Sequence, residues 1–413
     1  MRIAFATFGC KINQYETDEM RRSVAEQGNT LVPFDSEADV YIINTCSVTG
    51  RSDIQCRQAI RAAARRSPGA QVLVTGCYAE THPDEVGSLP GVTRIVDIKE
   101  KRNIIAYLPP SPGSVTAAAP RERTRQFLKI QDGCNNRCSY CIVPLARGNS
   151  VSVPVAEVTA AFDREIAGES QEIVLSGIHI GTYGADLHPR TSLTELAASL
   201  VRRAGTARIR LSSIEPNEVT EGILDLLGKG LCRHLHIPLQ SGDDDILRSM
   251  RRTYASRDYR ILLAAASAKV PGLALGADVM VGFPGEGEKE FNNTRSLIEE
   301  LPLTHLHVFS YSPRPGTPAA KMDHQVPEEI KKQRNAKIRE IGRRKNLEFR
   351  KSQVGTVQRI VVEDQSEEGI CKGLTDNYLR VSFTYLTENA RNKAFSVKIS
   401  NVSREGLDGT VIS

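Results

Sequence analysis

The chain has 413 residues, 40% hydrophobic and 25% charged, as expected of an ordinary soluble globular protein of two or three domains. No stretch could span a membrane, and "MRIAFATFGC" lacks a basic segment followed by a long apolar run, so a cytoplasmic address without membrane partners is expected. Nine cysteines, an odd number without a secretion signal, argue against a disulfide framework, and a net charge of +5 does not by itself announce a nucleic-acid binder.

In the first hundred residues, "RIAFAT", "VYIINT" and "QVLVTG" read as buried parallel strands and "TRIVDI" as a fourth. Helical stretches such as "QYETDEMRRSVAEQG" and "RSDIQCRQAIRAAARRS" alternate with them. The first three strands each end in a cysteine: Cys10, Cys46 and Cys77. In a doubly wound parallel sheet the carboxyl ends of all strands share one edge, so these three distant thiols should converge there. The expected domain is 1–107, and the proline-rich, small-residue segment 108–124 reads as a linker.

From residue 125 to 327 six strand-like runs alternate with helical ones: "RQFLKIQ", "EIVLSGIH", "ARIRLSSIE", "CRHLHIPLQ", "LALGADVMVGFP" and "THLHVFSYS". That predicts an α/β fold with an incomplete, six-stranded version of the eightfold parallel barrel, whose active sites sit at the carboxyl ends of the strands. The first of these strands delivers "KIQDGCNNRCSYCIVPLARG", with Cys134, Cys138 and Cys141 in eight residues and no fourth ligand nearby. Structural zinc wants four ligands, usually from paired C-x2-C units, so it fits poorly. A four-iron four-sulfur cluster on three thiolates instead keeps one iron open for a substrate or cofactor. Cys56, Cys232 and Cys371 read as ordinary buried thiols, and His179, His234 and His236 as strand residues rather than ligands.

Residues 328–351 read as a basic helix: Lys331 to Lys351 holds ten Lys or Arg against two Glu. Ile330, Ile338, Ile341 and Phe349 share one face at the helical period. Residues 352–413 contain short β-runs with Gly and Asn turns, suggesting a small closed barrel.

The C-x3-C-x2-C loop, with Tyr140 before its last cysteine, resembles the signature of the radical S-adenosylmethionine (SAM) superfamily. That resemblance implies that Cys134, Cys138 and Cys141 hold a [4Fe–4S] cluster whose open iron chelates the methionine moiety of SAM. Reductive cleavage of the sulfonium then yields a 5′-deoxyadenosyl radical. Tyr140 is expected to line the adenine pocket. "TFGCKINQYETDEM", "IINTCSVTGRSD" and "LVTGCYAE", with "SGIHIGTYG", "RLSSIEP", "HIPLQSGDDDILRSMRRTY" and "DVMVGFPGE", resemble the methylthiotransferase family over nearly the whole chain. By that resemblance a second [4Fe–4S] cluster sits on Cys10, Cys46 and Cys77 and carries the sulfur to be transferred. Ser176 and Gly177 would approach the methionine amino group, and Ser213, Glu215 and Gly282 would lie near the nucleoside.

The carboxyl-terminal barrel resembles the TRAM domain, an RNA-binding module, through "GLTDNYLRVSF" and "GLDGTVI". Lys372, Tyr378 and Arg380, with Arg343, Arg344 and Lys345 on the helix before them, are the expected RNA contacts. Around its first cysteine the chain is most similar to the type acting on threonylcarbamoyladenosine beside the tRNA anticodon. The resemblance implies the anticodon loop as substrate, a flavodoxin or ferredoxin as electron donor, and a monomer. An isopentenyladenosine tRNA and a ribosomal-protein aspartate are alternative substrates, and a non-catalytic metal-containing RNA-binding protein is the alternative from another class.

Overall fold

The structure, a computed structural model, describes residues 1–109, 123–387 and 389–412; most of the expected linker lies outside the described residues. The chain forms two compact units. One joins residues 1–109 to 132–150 and 314–317, and the other comprises 123–131, 151–313 and 318–412.

The first unit is built on a five-stranded parallel sheet. Its elements are β1 (Arg2–Thr7), α1 (Lys11–Glu26), β2 (Thr30–Val32), β3 (Val40–Thr45), α2 (Gly50–Arg66), β4 (Gln71–Gly76), α3 (Cys77–Thr81), α4 (Pro83–Gly87) and β5 (Val92–Ile95). The strand order β2-β1-β3-β4-β5 is the flavodoxin-like doubly wound order, with its direction of winding reversing between β1 and β3. β3 is buried at all six positions, because helices cover both faces of a parallel sheet. Tyr41, Ile43, Val72 and Val74 pack on one face with Ile60 of α2, and Ile3, Ile42 and Leu73 pack on the other with Met20 and Val24 of α1. β2 does not emerge from the sequence pattern: it is a three-residue edge strand, too short to show a period.

The second unit contains all six expected barrel strands. In chain order the remaining elements are β6 (Arg125–Lys129), β7 (Gln131–Asp132), α5 (Val143–Arg147), β8 (Val151–Ser152), α6 (Val155–Ala167), β9 (Glu172–Ser176), α7 (Leu193–Arg203), β10 (Arg208–Leu211), α8 (Glu221–Leu226), β11 (His234–His236), α9 (Asp244–Ser249), α10 (Ser256–Lys269), β12 (Ala274–Val281), α11 (Glu288–Glu300), β13 (His305–Ser310) and α12 (Glu328–Ser352). β10-β9-β6 and β11-β12-β13 are parallel three-stranded sheets, joined by bridges from Ile209 to Leu231 and from Ser213 to His236. Alternate strand residues such as Ile173, Leu175, Ile209, Leu235, Leu275 and Ala277 join the core beneath the helices. Their neighbours Glu172, Arg210, His234, His236 and Asp278 lie on the opposite, inner face, as the period of two requires.

α12 runs one residue past the expected basic helix. Ile338 and Ile341 are buried as the pattern predicts, but Ile330 is 38% exposed. Lys331 and Arg334 are buried instead: Lys331 donates to Tyr311 O at 3.1 Å, and Arg334 to Glu286 Oε1 at 2.7 Å. Long basic side chains bury their stems when the head finds an acceptor. The five strands β14 (Val357–Gln365), β15 (Ile370–Leu374), β16 (Arg380–Thr384), β17 (Ala394–Val402) and β18 (Leu407–Val411) close into a barrel in the order β14-β15-β16-β18-β17.

Candidate functional site

In the first unit the strand-end thiols meet at the carboxyl edge of the sheet, where the winding reverses. Cys10 is the N-cap of α1, Cys46 directly follows β3, and Cys77 opens α3. Cys10 is exposed, whereas Cys46 and Cys77 are buried. Gly9, at φ +98°, explains the close approach: a Cβ there would lie 2.5 Å from Cys46 Sγ. Burial pushes the Cys46 thiol up to about 11, and the neighbouring Cys77 and Cys10 thiolates add to the shift. Cys77 is also raised by burial, against which Arg147 and Lys101 act. The thiols are therefore mutual electrostatic neighbours, and a metal held here must displace their protons.

Cys134, Cys138 and Cys141 belong to the same unit. Their loop is closed at its base: Cys134 N–H donates to Gly148 O at 3.1 Å, and a side chain at Gly133 (φ +66°) would overlap Asn149 O. Arg137 donates to Cys134 O at 3.1 Å and to Asn149 Oδ1 at 3.2 Å, and Cys141 N–H donates to Cys138 O at 3.1 Å. All three cysteines and Tyr140 are half-buried. Two soft three-sulfur donor sets, each built on backbone that a side chain would disturb, suit iron–sulfur clusters better than a hard cation. Arg314, also in this unit, donates to Ser47 Oγ at 2.7 Å and Asp53 Oδ2 at 2.5 Å, holding the turn after Cys46. Cys56 accepts from Cys46 N–H at 3.5 Å, so this buried thiol supports the ligand turn; Cys232 and Cys371 are buried as expected.

In the second unit Ser176 ends β9 with its hydroxyl on Val174 O at 3.3 Å. A Cβ on Gly177 would lie 2.8 Å from Ile180 Cγ2 and 3.0 Å from Gln131 Oε1, which already accepts from His179 N–H at 2.8 Å. Ser213 joins the bridge to His236. Glu215 pairs with Arg252; burial raises its carboxyl despite that cation and His179. Gly282, at φ +73°, donates its N–H to Glu286 Oε1 at 2.8 Å.

A cluster that the sequence reading leaves out lies on the inner face of β11, β12 and β13. Asp278 Oδ1 is 3.0 Å from His236 Nε2 and 3.4 Å from His307 Nδ1, and burial of this carboxyl is outweighed by the two imidazoles, which hold it well below the usual range. The signal was present in the alternation His234-x-His236 and His305-x-His307, which turns all four rings inward.

The expected RNA contacts divide. Arg343 and Arg344 line a groove of about 1070 Å³ with Arg339, Arg350 and Arg404. Lys372 and Arg380 are exposed on the small barrel. Lys345 is turned inward, donating to Glu299 O and Leu301 O at 2.8 Å each, where it caps the carboxyl end of α11. Tyr378 is not an outward stacking platform: its ring stacks on His234 (4.4 Å between centroids), with His305 and the Arg210 guanidinium at 5.7 and 5.1 Å.

Residues 2–97 match Uncharacterized protein family UPF0004, and residues 128–298 match the Radical SAM superfamily. Threonylcarbamoyladenosine tRNA methylthiotransferase MtaB of Bacillus subtilis (strain 168) is 38% identical over 96% of this chain and 93% of its own. The chain belongs to the radical SAM methylthiotransferases. The MtaB enzyme of Thermotoga maritima is 33% identical over 98% and 96% of the two chains. A tRNA-2-methylthio-N(6)-dimethylallyladenosine synthase of Carboxydothermus hydrogenoformans is 30% identical over 98% of each. Among solved structures, the radical S-adenosylmethionine methyltransferase TsrM from Kitasatospora setae shares the fold at TM-score 0.58 and 14% identity, covering 77% of this chain and 76% of that one. Membership in the superfamily implies a [4Fe–4S] cluster and SAM.

Proposed function

We propose that this methylthiotransferase converts threonylcarbamoyladenosine beside the tRNA anticodon to its 2-methylthio derivative. The observation that carries the reading is the gathering of two three-thiol sites into one compact unit, on a chain whose near-full-length relatives at 32–38% identity bear that substrate in their names. Relatives named for the dimethylallyl nucleoside stand at 28–30%. Cys134, Cys138 and Cys141 would hold the SAM cluster, and Cys10, Cys46 and Cys77 a second one. Loaded, the site supplies a methyl group, a sulfur attachment point and a carbon radical strong enough to take hydrogen from C2 of the adenine.

The chain's own residues then have binding and orienting work. Gly133 and Gly148 let the cysteine loop fold back on itself. Tyr140, Ser176, Gly177, Ser213, Glu215 and Gly282 would line the SAM site. The inner-face polar groups of the barrel would orient its ribose and the target nucleoside. Arg343 and Arg344 would hold phosphates, and the exposed Lys372 and Arg380 would extend that basic surface. A single-stranded loop suits such a site because its bases are already unstacked. The enzyme would work as a cytoplasmic monomer reduced by a flavodoxin or ferredoxin.

The test is mass-spectrometric nucleoside analysis of total tRNA from cells with and without the gene. Loss of methylthio-threonylcarbamoyladenosine, restored on complementation, is the expected result. Loss of the methylthio-isopentenyl nucleoside alone would move the substrate, and no change in either would overturn the tRNA reading.

A further inference from the structure

Arg147 ends α5, six positions beyond Cys141, and its side chain is only 1% exposed. Its Nη1 donates to Glu16 Oε1 at 3.0 Å and Asp132 Oδ1 at 2.9 Å, and its Nη2 to Asn13 Oδ1 at 2.6 Å and Glu16 Oε2 at 3.1 Å. Asn13 passes the contact on. Its Nδ2 donates to Phe8 O at 2.8 Å and to Thr45 O at 2.9 Å, carbonyls just ahead of Cys10 and Cys46. On the other side Ala146 packs with Cys77 and Ile98. One guanidinium at the end of α5 thus reaches, through Asn13, the carbonyls two residues before Cys10 and one before Cys46, and lies beside Cys77.

Its charge is balanced by its carboxylate partners, so any thiolate charge at the strand ends comes on top of a neutral set. Glu16 also binds the buried Lys101, so Arg147 and Lys101 face Glu16 and Asp132, a set that sums to zero before any thiolate is counted. The buried Nε of Arg147 makes no hydrogen bond among the described residues, whereas nearly all such donors do, and the guanidinium is already a hydrogen-bonding and electrostatic neighbour of the Cys77 sulfur. A thiolate or a cluster sulfide at the Cys77 corner would supply the acceptor.

We propose that Arg147 is a positioning residue for the strand-end cluster, fixing the Cys10 and Cys46 backbone through Asn13 and stabilising the cluster's reduced, more negative state with its buried charge. The inference rests on the two-cluster reading above. Net charge and hydrogen bonds to sulfur are the levers by which a protein sets a cluster's potential, and a buried charge is weakly screened.

The test uses the full-length chain with Cys134→Ala, Cys138→Ala and Cys141→Ala, reconstituted anaerobically and titrated with dithionite under redox mediators while the reduced cluster is followed by EPR. Arg147→Gln added to this parent should lower the ratio of reduced to oxidised cluster about tenfold at fixed poise, a shift of about 59 mV for one electron. Arg147→Lys should restore most of that ratio. Glu16→Gln, which removes the opposing charge, should shift the ratio the other way. A fully loaded Arg147→Gln protein with the parent's ratio would overturn the inference. Should that variant hold no cluster, an unchanged or lowered ratio in Glu16→Gln would do the same. A parent that binds no iron would instead refute the two-cluster reading.

Discussion

At the scale of single residues, the strand-end site depends on a glycine as much as on its thiols. Gly9 combines a left-handed backbone with close packing on Cys46 Sγ, so Gly9→Ala meets both obstacles at once. After reconstitution its iron content should fall from about eight to about four per chain, measured by iron and sulfide analysis, while SAM cleavage at the loop site persists. Thiol reactivity gives a second check on the metal-free protein. Thiolate is the reacting form, and burial pushes Cys46 up to about 11 and Cys56 to about 12. At pH 8 iodoacetamide should therefore label the exposed Cys10 well before Cys46 or Cys56, as read by peptide mass spectrometry. Equal labelling would contradict the burial described for the strand ends.

At the scale of elements, the floor of the barrel is an ion cluster. Glu172 on β9 accepts from Arg208 Nε and Arg210 Nε on β10, each at 2.7 Å. The same arginines donate to Leu374 O at 2.7 Å, Thr375 O at 3.0 Å and Asp376 O at 2.8 Å, on the turn between β15 and β16. Burial alone would raise the Glu172 carboxyl; Arg210 and Arg208 outweigh it and hold it well below the usual carboxylate range. Its folded-state pKa thus lies below its unfolded value near 4.3, so its stabilisation is complete above that pH and fades as pH falls through the acid range. Glu172→Gln should cost about 3–5 kcal/mol at pH 7, since it leaves two buried cations short of a partner. That loss should shrink toward pH 3, as followed by urea unfolding at both pH values.

Sequence reading reached these elements unevenly. The barrel strands were legible because short β-rich runs recur between amphipathic helical stretches, a rhythm that settles the strand-or-helix ambiguity any one short apolar run would leave. The gathering of Cys10, Cys46 and Cys77 at one sheet edge was legible because each follows a strand of a parallel sheet. Lys345, Tyr378 and Arg147 were not, since each looks like any surface residue until tertiary packing supplies an inward acceptor or ring. The burial of Lys331 and Arg334 was hidden in the same way, behind a run of charges that resembles a solvated face.

At the scale of the whole molecule, the tRNA contact proposed for the exposed arginines would make affinity depend on salt. The groove carrying Arg339, Arg343, Arg344, Arg350 and Arg404 predicts a graded response. Arg343→Ala should weaken tRNA binding similarly across sequences and reduce the slope of log affinity against log salt by about 0.7, one phosphate's worth on a single strand. Filter binding at several salt concentrations measures this. Tyr378→Ala, by contrast, should leave that slope unchanged and lower the melting temperature, because its ring lies against His234 and Arg210.

The turn between β15 and β16 that closes the barrel floor also bears on how such a chain could evolve. A module attached only by a linker can be exchanged by recombination at the linker. Here a replacement small barrel would have to bring its own carbonyls to Arg208 and Arg210 and its own ring to His234, or leave the floor charged and open. Changes in the small barrel should therefore accumulate as point changes on its outer face, with the inward turn held fixed by the larger barrel it completes.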